Sequence, residues 1–333
     1  MEKSPLVEAQ ENFLAKVEER VTQSTTRSLA DAIGMTTYDQ IEAPIDMPPY
    51  PRAIVEGFLV FCDDTNSASE EAPTEFKIVG KVKPGDEQCA AWQSGEAVEV
   101  VTGAITPESG VAVVRPWDAE RKGDTFSITR PFKPGFFIEE QGCDVRAGQV
   151  VVEQGVVLDA FDLGQLAGMG VTEVSVATPP KVAIFSSGDE VVPHTEALKP
   201  GWIRDGNSVM LNAAVNEAGG EACFAGIVKD DFDHFVALVK KALSENDMIL
   251  ISGGTAVGGR NFVSDLIGEV GELVLDGVPM RSGRPLIMGC ADNKPIVCVA
   301  GHPPEALRGF RLFGVPAIER LLGQGLIIPD DVI

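Results

Sequence analysis

From Pro179 onward the chain alternates between two hydrophobic patterns. Continuous apolar runs (KVAIFSS, EACFAGIVKD, DMILISGG, ELVLDGV, PLIMG, PIVCVAG) are interleaved with NSVMLNAAVNEAGG, FDHFVALVKKALSEN and FVSDLIGEVG, whose apolar positions recur every three or four residues. The first pattern predicts strands buried on both faces and the second predicts amphipathic helices; their alternation implies a mainly parallel sheet covered on both sides. Between Ala53 and Pro134 the grammar differs: the short runs EFKIVGKV, AVEVVTGAI, VAVVRPW and TFSITR, bounded by Gly, Pro and Asp, predict a small all-β domain. Ahead of it, Leu6, Phe13, Leu14, Val17, Val21, Leu29 and Ile33 fall at helical spacing and predict one or two amphipathic helices, ended by the prolines of APIDMPPYP. GQVVVEQGVVLDAFDLGQLAGMGVTEVSV reads as strand, turn, short helix and strand, and returns to the first segment. The expected division is a discontinuous N-terminal α+β domain of residues 1–50 and 135–178, an inserted small β domain of residues 51–134, an α/β domain of residues 179–325, and a tail of residues 326–333.

Composition agrees with several packed cores: 333 residues, 44% hydrophobic and 23% charged, suit a globular chain of two or three domains. The formal charge, 27 minus 50 or −23, argues against a general affinity for nucleic acid or an anionic membrane surface, since both require clustered cations. Small anions can still be held by backbone N–H groups and a few local cations. The N-terminus is charged from its second residue and no window is long and apolar enough to span a bilayer, so a cytoplasmic location is expected. Six dispersed cysteines without a CxxC pair read as reduced thiols, and three histidines make a histidine-rich zinc site an unsuitable expectation.

Ligands in parallel α/β sheets sit beyond the carboxyl ends of strands, so the residues after each strand carry the candidate chemistry. KVAIF is followed by SSGDE, two hydroxyls, a glycine and two carboxylates, of which Ser187, Gly188, Asp189 and Glu190 form either a polar ligand contact or simply a turn and helix N-cap. DMILI leads into Ser252, Gly253, Gly254, Thr255 and Gly258. This turn has the build of an oxyanion or phosphate cradle but is neither a Walker A nor a GxGxxG turn. Asp230 and Asp231 follow GIV, where a solvated helix start explains them at least as well as a ligand role. Arg281, Ser282, Gly283, Arg284 and Pro285 place two guanidinium groups around a tight turn, suited to bidentate phosphate recognition. Gly301, His302 and Pro303 form a rigid turn into a helix, with His302 either a ligand contact or a neighbour of the N-cap.

The order SSGDE, DDFDHF, SGGTAVGG, RSGRP and AGHPP resembles the molybdopterin molybdotransferase family, the bacterial MoeA proteins and the gephyrin E domain. APIDMPPYPRAIVEGFLV, SGEAVEVVTGAITPESGVAVVRP and EEQGCDVRAGQVVVEQGVVLDAFDLGQLAGMGVTEVSV extend the resemblance over about Glu42 to Leu321. It implies an α/β multidomain protein with a MogA/MoaB-like mainly parallel molybdopterin-binding domain. It also implies a homodimer, a small-molecule pterin substrate, and a reaction in which molybdate enters adenylylated molybdopterin with release of AMP, assisted by Mg2+. By the same resemblance Glu190, Asp144 and Asp230 or Asp231 fall on the family's acidic positions, Ser252 to Gly254 on its SGG loop, and Arg281 and Arg284 on its two lysines. A molybdopterin adenylyltransferase and a molybdoenzyme are the partners it suggests.

The chain departs from the family pattern where acidic residues are usual. Pro51 and Glu56 stand in the segment of FDxSAMDGYA type, Gly259 and Asn261 replace the acidic positions after the SGG loop, and His302 and Glu305 replace Asn and Ser in the PGNPVSA segment. The family's C-terminal β domain has no counterpart before Ile333. Two functional expectations follow: a molybdotransferase, or a catalytically weakened protein that binds, carries or senses the cofactor.

Overall fold

The computed structural model describes residues 4–19, 23–229, 231–253, 262–278 and 286–325. Contacts divide the chain into two compact units, Met1–Gln40 with Val152–Leu163 and Thr172–Ile333, and Ile41–Val151 with Gly164–Val171. The protein is an α/β multidomain structure.

The chain starts with helix α1, Pro5–Leu14, which Ser4 caps by accepting the Leu6 N–H at 3.3 Å and which has proline at its first turn. In the second unit, strands β1 (Gly57–Phe61), β2 (Thr74–Val82), β3 (Glu96–Val100), β4 (Val111–Val114), β5 (Glu120–Lys122) and β6 (Thr125–Ile128) form one sheet in the order β4-β1-β3-β2-β6-β5. Only β2 and β3 run parallel; the other neighbours are antiparallel. Residues alternate between faces, so Phe58 and Val60 join Phe76 and Phe126 in one cluster while Leu59 joins Val98 and Val113 in another. The rings of Phe58 and Phe126 stack at 4.2 Å.

In the first unit, the helical expectation fails after Leu14. Ser24–Ser28, with Thr25 and Thr26 at its centre, forms a strand paired antiparallel with Glu173–Ala177. Leu29–Asp31 is a single 3-10 turn and Ile33 is 56% exposed. Non-local ladder bonds override the spacing there. A short helix, α2, covers Ala160–Gly168.

The main sheet then follows the predicted alternation: β7 (Lys181–Ser187), α3 (Asn207–Glu217), β8 (Glu221–Val228), α4 (Phe232–Glu245), β9 (Met248–Gly253), α5 (Phe262–Val270), β10 (Glu272–Asp276), β11 (Ile287–Ala291) and β12 (Lys294–Val299). Helices α6 (Pro303–Gly309) and α7 (Val315–Leu321), joined by a π-helical turn, close the chain's described fold. The order is β8-β7-β9-β12-β11-β10, with β8, β7, β9 and β12 parallel and the β11 and β10 edge antiparallel. The antiparallel switch has a local cause. Asp292 and Asn293, both at positive φ (48° and 62°), make the two-residue turn that joins β11 to β12 as a hairpin.

Each face of this sheet has its own core. Ile184, Leu250, Val297 and Val299 pack with Leu211 and Val215 of α3 and with α1 and α7, whereas Phe185, Ile251 and Cys298 pack with Phe235 and Val239 of α4 and Leu266 of α5. Burial at about 25 cal/mol per Å2 of apolar surface makes these two layers the main stabilising contribution to the unit. Among the described residues no helix is long and apolar enough to cross a membrane.

Candidate functional site

The chain leaves β7 through α3 to reach β8 on one side, then returns through α4 to β9 on the other. The carboxyl ends of β7 and β9 are therefore a topological switch point, the crevice where such sheets bind ligands. Ser187 pairs with Gly253 across this point, and Ser186 with Ser252. Gly253 lies at φ +92°, and a Cβ there would sit 2.6 Å from the Ser187 carbonyl oxygen. Glycine is what allows the two strand ends to come this close.

By alternation Ser186 and Ser252 share the α3 face, while Ser187 points to the α4 face. On the α3 face Asn207, the first residue of that helix, ties two loops together. Its Nδ2 donates to Ser252 Oγ at 2.7 Å and to the Gly301 carbonyl at 2.8 Å, and Ser252 Oγ donates to the Ala300 carbonyl at 3.3 Å. Because a carbonyl can only accept, Nδ2 must face Gly301, which leaves Oδ1 as the other end of the amide. Among the described residues Asn207 Oδ1, Ser186 Oγ, Ser187 Oγ and Asp205 Oδ2 are buried without a hydrogen-bond partner. Ser186 is 3% exposed, Asp205 4% and Asn207 9%. An unpaired buried polar atom costs about 1–3 kcal/mol, so the three on the α3 side, Asn207 Oδ1, Ser186 Oγ and Asp205 Oδ2, are poised to receive hydrogen bonds from something else. Two of these three atoms can only accept, which calls for a ligand rich in N–H or O–H.

The connection from β7 to α3 frames the same place. Val191–Val192 and Ile203–Arg204 form a short parallel pair, with Ile203 N–H donating to Glu190 O at 3.0 Å and Asp205 N–H to Val192 O at 2.8 Å. Asp205 Oδ1 then accepts the Ser208 N–H at 3.0 Å, fixing the start of α3. Gly188, at φ +148°, leaves room for the exposed Glu190, whose Oε2 would lie 2.9 Å from any Cβ at that position. Lys229, just after β8, donates from Nζ to the carbonyls of Asp189 at 2.7 Å, Val191 at 3.3 Å and Gly188 at 3.5 Å.

The expected site residues thus fall in several places. Ser187, Gly188, Asp189, Glu190, Ser252, Gly253, Gly301, His302 and Pro303 all lie on the loops or strand ends at the carboxyl side of the sheet. His302 is the backbone N-cap of α6 and makes no side-chain cap hydrogen bond. Asp231 caps α4, its Oδ1 accepting the His234 N–H at 3.1 Å, which is the structural role the sequence also allowed. Asp144 belongs to the other unit, on an exposed turn held by its N–H to Met47 O at 3.0 Å. Asp230, Gly254, Thr255, Gly258, Arg281, Ser282, Gly283, Arg284 and Pro285 lie outside the described residues. Sequence reasoning passed over Asp205, Asn207 and Lys229, and counted Ser186 only as one of the two hydroxyls of SSGDE. The signal for two of them was present in IRDGN, a carboxylate and an amide immediately before an amphipathic helix, but Asp and Asn are so common at helix starts that the pattern reads as capping.

Acceptors buried at the switch point of a parallel sheet define an α/β domain that binds a small polar molecule. Comparison with known proteins makes the class specific. Residues 4–170 match the family model described as "MoeA N-terminal region (domain I and II)", and residues 183–320 match "Probable molybdopterin binding domain". The molybdopterin molybdenumtransferase of Staphylococcus epidermidis is 28% identical over 306 residues, covering 92% of this chain and 73% of that protein. The molybdopterin molybdenumtransferase of Staphylococcus aureus is 29% identical over 308 residues, covering 92% and 74%. A solved structure of a molybdopterin biosynthesis MoeA protein from Pyrococcus horikoshii superposes with a TM-score of 0.79 at 34% identity, covering 97% of this chain and 81% of that one. The chain belongs to the MoeA family.

Proposed function

We propose that the protein acts in molybdenum cofactor biosynthesis as a molybdopterin molybdenumtransferase, inserting molybdenum from molybdate into molybdopterin. The observation that carries this reading is the buried group Ser186, Asp205 and Asn207, whose unpartnered oxygen atoms lie at the sheet's switch point. A pterin presents adjacent ring N–H and amino donors along one edge. Asp205 Oδ2 and Asn207 Oδ1 accept from that edge, and each bond recovers the cost of an unpaired buried acceptor. The second half of Asn207 holds Ser252 and Gly301 still, so the glycine-rich loop starting at Gly253 receives the phosphate side of the ligand. Arg281 and Arg284 supply positive charge to that phosphate.

At a finer level, the substrate is the adenylylated form and AMP is the leaving product. A Mg2+ site of one or two carboxylates beside substrate phosphates would need no cage of protein ligands. The exposed Glu190 on the loop after β7 fits that oxygen-donor role, although among the described residues no three acidic, histidine or cysteine side chains gather into a ready cluster. Bound there, the ion would offset phosphate charge as the anhydride is cleaved. Glu190 and Asp189 would orient water and ion there, while Ser187 and Gly188 would line the approach. We further read the chain as a homodimer of three domains with the boundaries expected from sequence, acting in the cytoplasm and served by a molybdopterin adenylyltransferase.

The deciding experiment incubates purified protein with adenylylated molybdopterin, molybdate and Mg2+ and follows both AMP and pterin-bound molybdenum. AMP release with molybdenum retained on the pterin supports the transferase. Tight pterin binding with neither would refute it and leave the carrier reading.

A further inference from the structure

The loop that carries Glu190 is held from outside by a cation. Main-chain oxygens of Gly188, Asp189 and Val191 converge on the Lys229 ammonium at 3.5, 2.7 and 3.3 Å. An ammonium has three N–H donors and no acceptor, so three carbonyls use its whole hydrogen-bonding capacity. All three of these contacts are to main-chain oxygens of the loop that carries Glu190. We propose that Lys229 is a tethered cation that sets the position of Glu190, and that the carbonyl ring it fills accepts a free cation of ammonium or potassium size in its place once the lysine side chain is removed.

Three observations support the assignment. The oxygens belong to one four-residue segment, and in the absence of a cation their dipoles would repel one another at such close convergence. Rings of backbone carbonyls are the groups that replace the hydration shell of potassium. The ring is also anchored at its base, because Gly188 N–H donates at 3.1 Å to the carbonyl of Val228, the residue immediately before Lys229. The clamp therefore joins the edge strand β8 to the loop beyond β7, and Glu190, folded over Gly188, moves with it. With its donors spent on the main chain, Lys229 is a positioning residue and does not bind substrate phosphate.

The catalytic consequence rests on the transferase reading; the cation ring does not. The test compares Lys229→Ala, which opens the ring, with Lys229→Met, which keeps an apolar stem in it. Each is assayed with ammonium, potassium or tetramethylammonium chloride at equal ionic strength. In Lys229→Ala, kcat for AMP release is expected to fall about tenfold to a hundredfold, as for a misplaced catalytic group, with a smaller change in KM. Ammonium and potassium restore most of that loss and raise the thermal midpoint, tetramethylammonium does neither, and Lys229→Met is not rescued. An unaffected kcat, or equal effects of all three salts on Lys229→Ala, overturns the proposal. If the wild-type protein releases no AMP, the transferase reading fails, and the thermal midpoints alone decide the cation ring.

Discussion

Gly253 and Gly301 face each other at the mouth of the site, yet the structure predicts opposite responses to the same substitution. At Gly253 a methyl group would stand 2.6 Å from the Ser187 carbonyl oxygen on a backbone at φ +92°. The left-handed conformation costs an L-residue about 1–2 kcal/mol. Relieving the overlap requires the ends of β7 and β9 to part, which gives up about one ladder hydrogen bond at 0.5–1.5 kcal/mol. Gly253→Ala should therefore destabilise the protein by about 1.5–3.5 kcal/mol. At Gly301 the nearest atom to an added Cβ is the Gly253 Cα at 3.7 Å, an ordinary contact. Gly301→Ala should stay within about 0.5 kcal/mol of the wild type. Equilibrium urea unfolding, monitored by circular dichroism, gives both numbers from shifts in midpoint at constant slope. Equal stabilities for the two variants, or a Gly253→Ala protein indistinguishable from wild type, would refute the argument that close strand approach selects glycine there.

Other expectations follow from the same structure. Asp205→Asn should weaken pterin binding by about 1.5–3 kcal/mol, the worth of a charged hydrogen bond, with no loss of fold stability, because the lost oxygen has no protein partner; calorimetric titration with molybdopterin tests it. Arg281→Ala and Arg284→Ala should each cost roughly 1–3 kcal/mol of pterin-phosphate affinity, and unchanged binding in both removes them from the site. Burial pushes the Cys290 and Cys298 thiols up to about 12, so iodoacetamide at mildly alkaline pH should alkylate the exposed Cys143 first; prior labelling of Cys298 contradicts the packing. Hydrogen bonding to Arg115, with help from Arg130, holds the Asp118 carboxyl below its ordinary value of 3.8. Its contribution is thus complete at neutral pH and disappears as pH falls below about 4, so Asp118→Asn should destabilise the second unit at pH 7 and lose that difference in acid.

What could be read from the sequence was what local pattern specifies. KVAIFSS, DMILISGG and PIVCVAG became β7, β9 and β12 because residues buried on both faces leave little else for the backbone to do. The segment after Leu14 was misread because Leu29 and Ile33 share a helical spacing that long-range pairing with Glu173–Ala177 outweighs. The hairpin over Asp292 and Asn293 was missed although two residues tolerant of positive φ sit between apolar runs. At the site, the strand-end glycines and serines were legible from their place after buried strands. Asp205 and Asn207 were not, since their importance lies in what Ser252 and Gly301 bring to them from about fifty and ninety residues away, a juxtaposition only the sheet order creates.

The contacts of α1 carry a consequence for how the protein is made. Gln10 Nε2 donates to Leu312 O at 2.7 Å, Phe13 meets Phe313 with ring centres 6.1 Å apart, and Arg320 Nε donates to Val17 O at 2.8 Å. Segments three hundred or more positions apart in sequence thus share one core. Helix α1 is made about three hundred residues ahead of its partner α7, so it waits without that partner until α7 has left the exit tunnel. That interval is the period in which the α1 segment is most open to aggregation and proteolysis, and chaperones that hold nascent chains have most to do there.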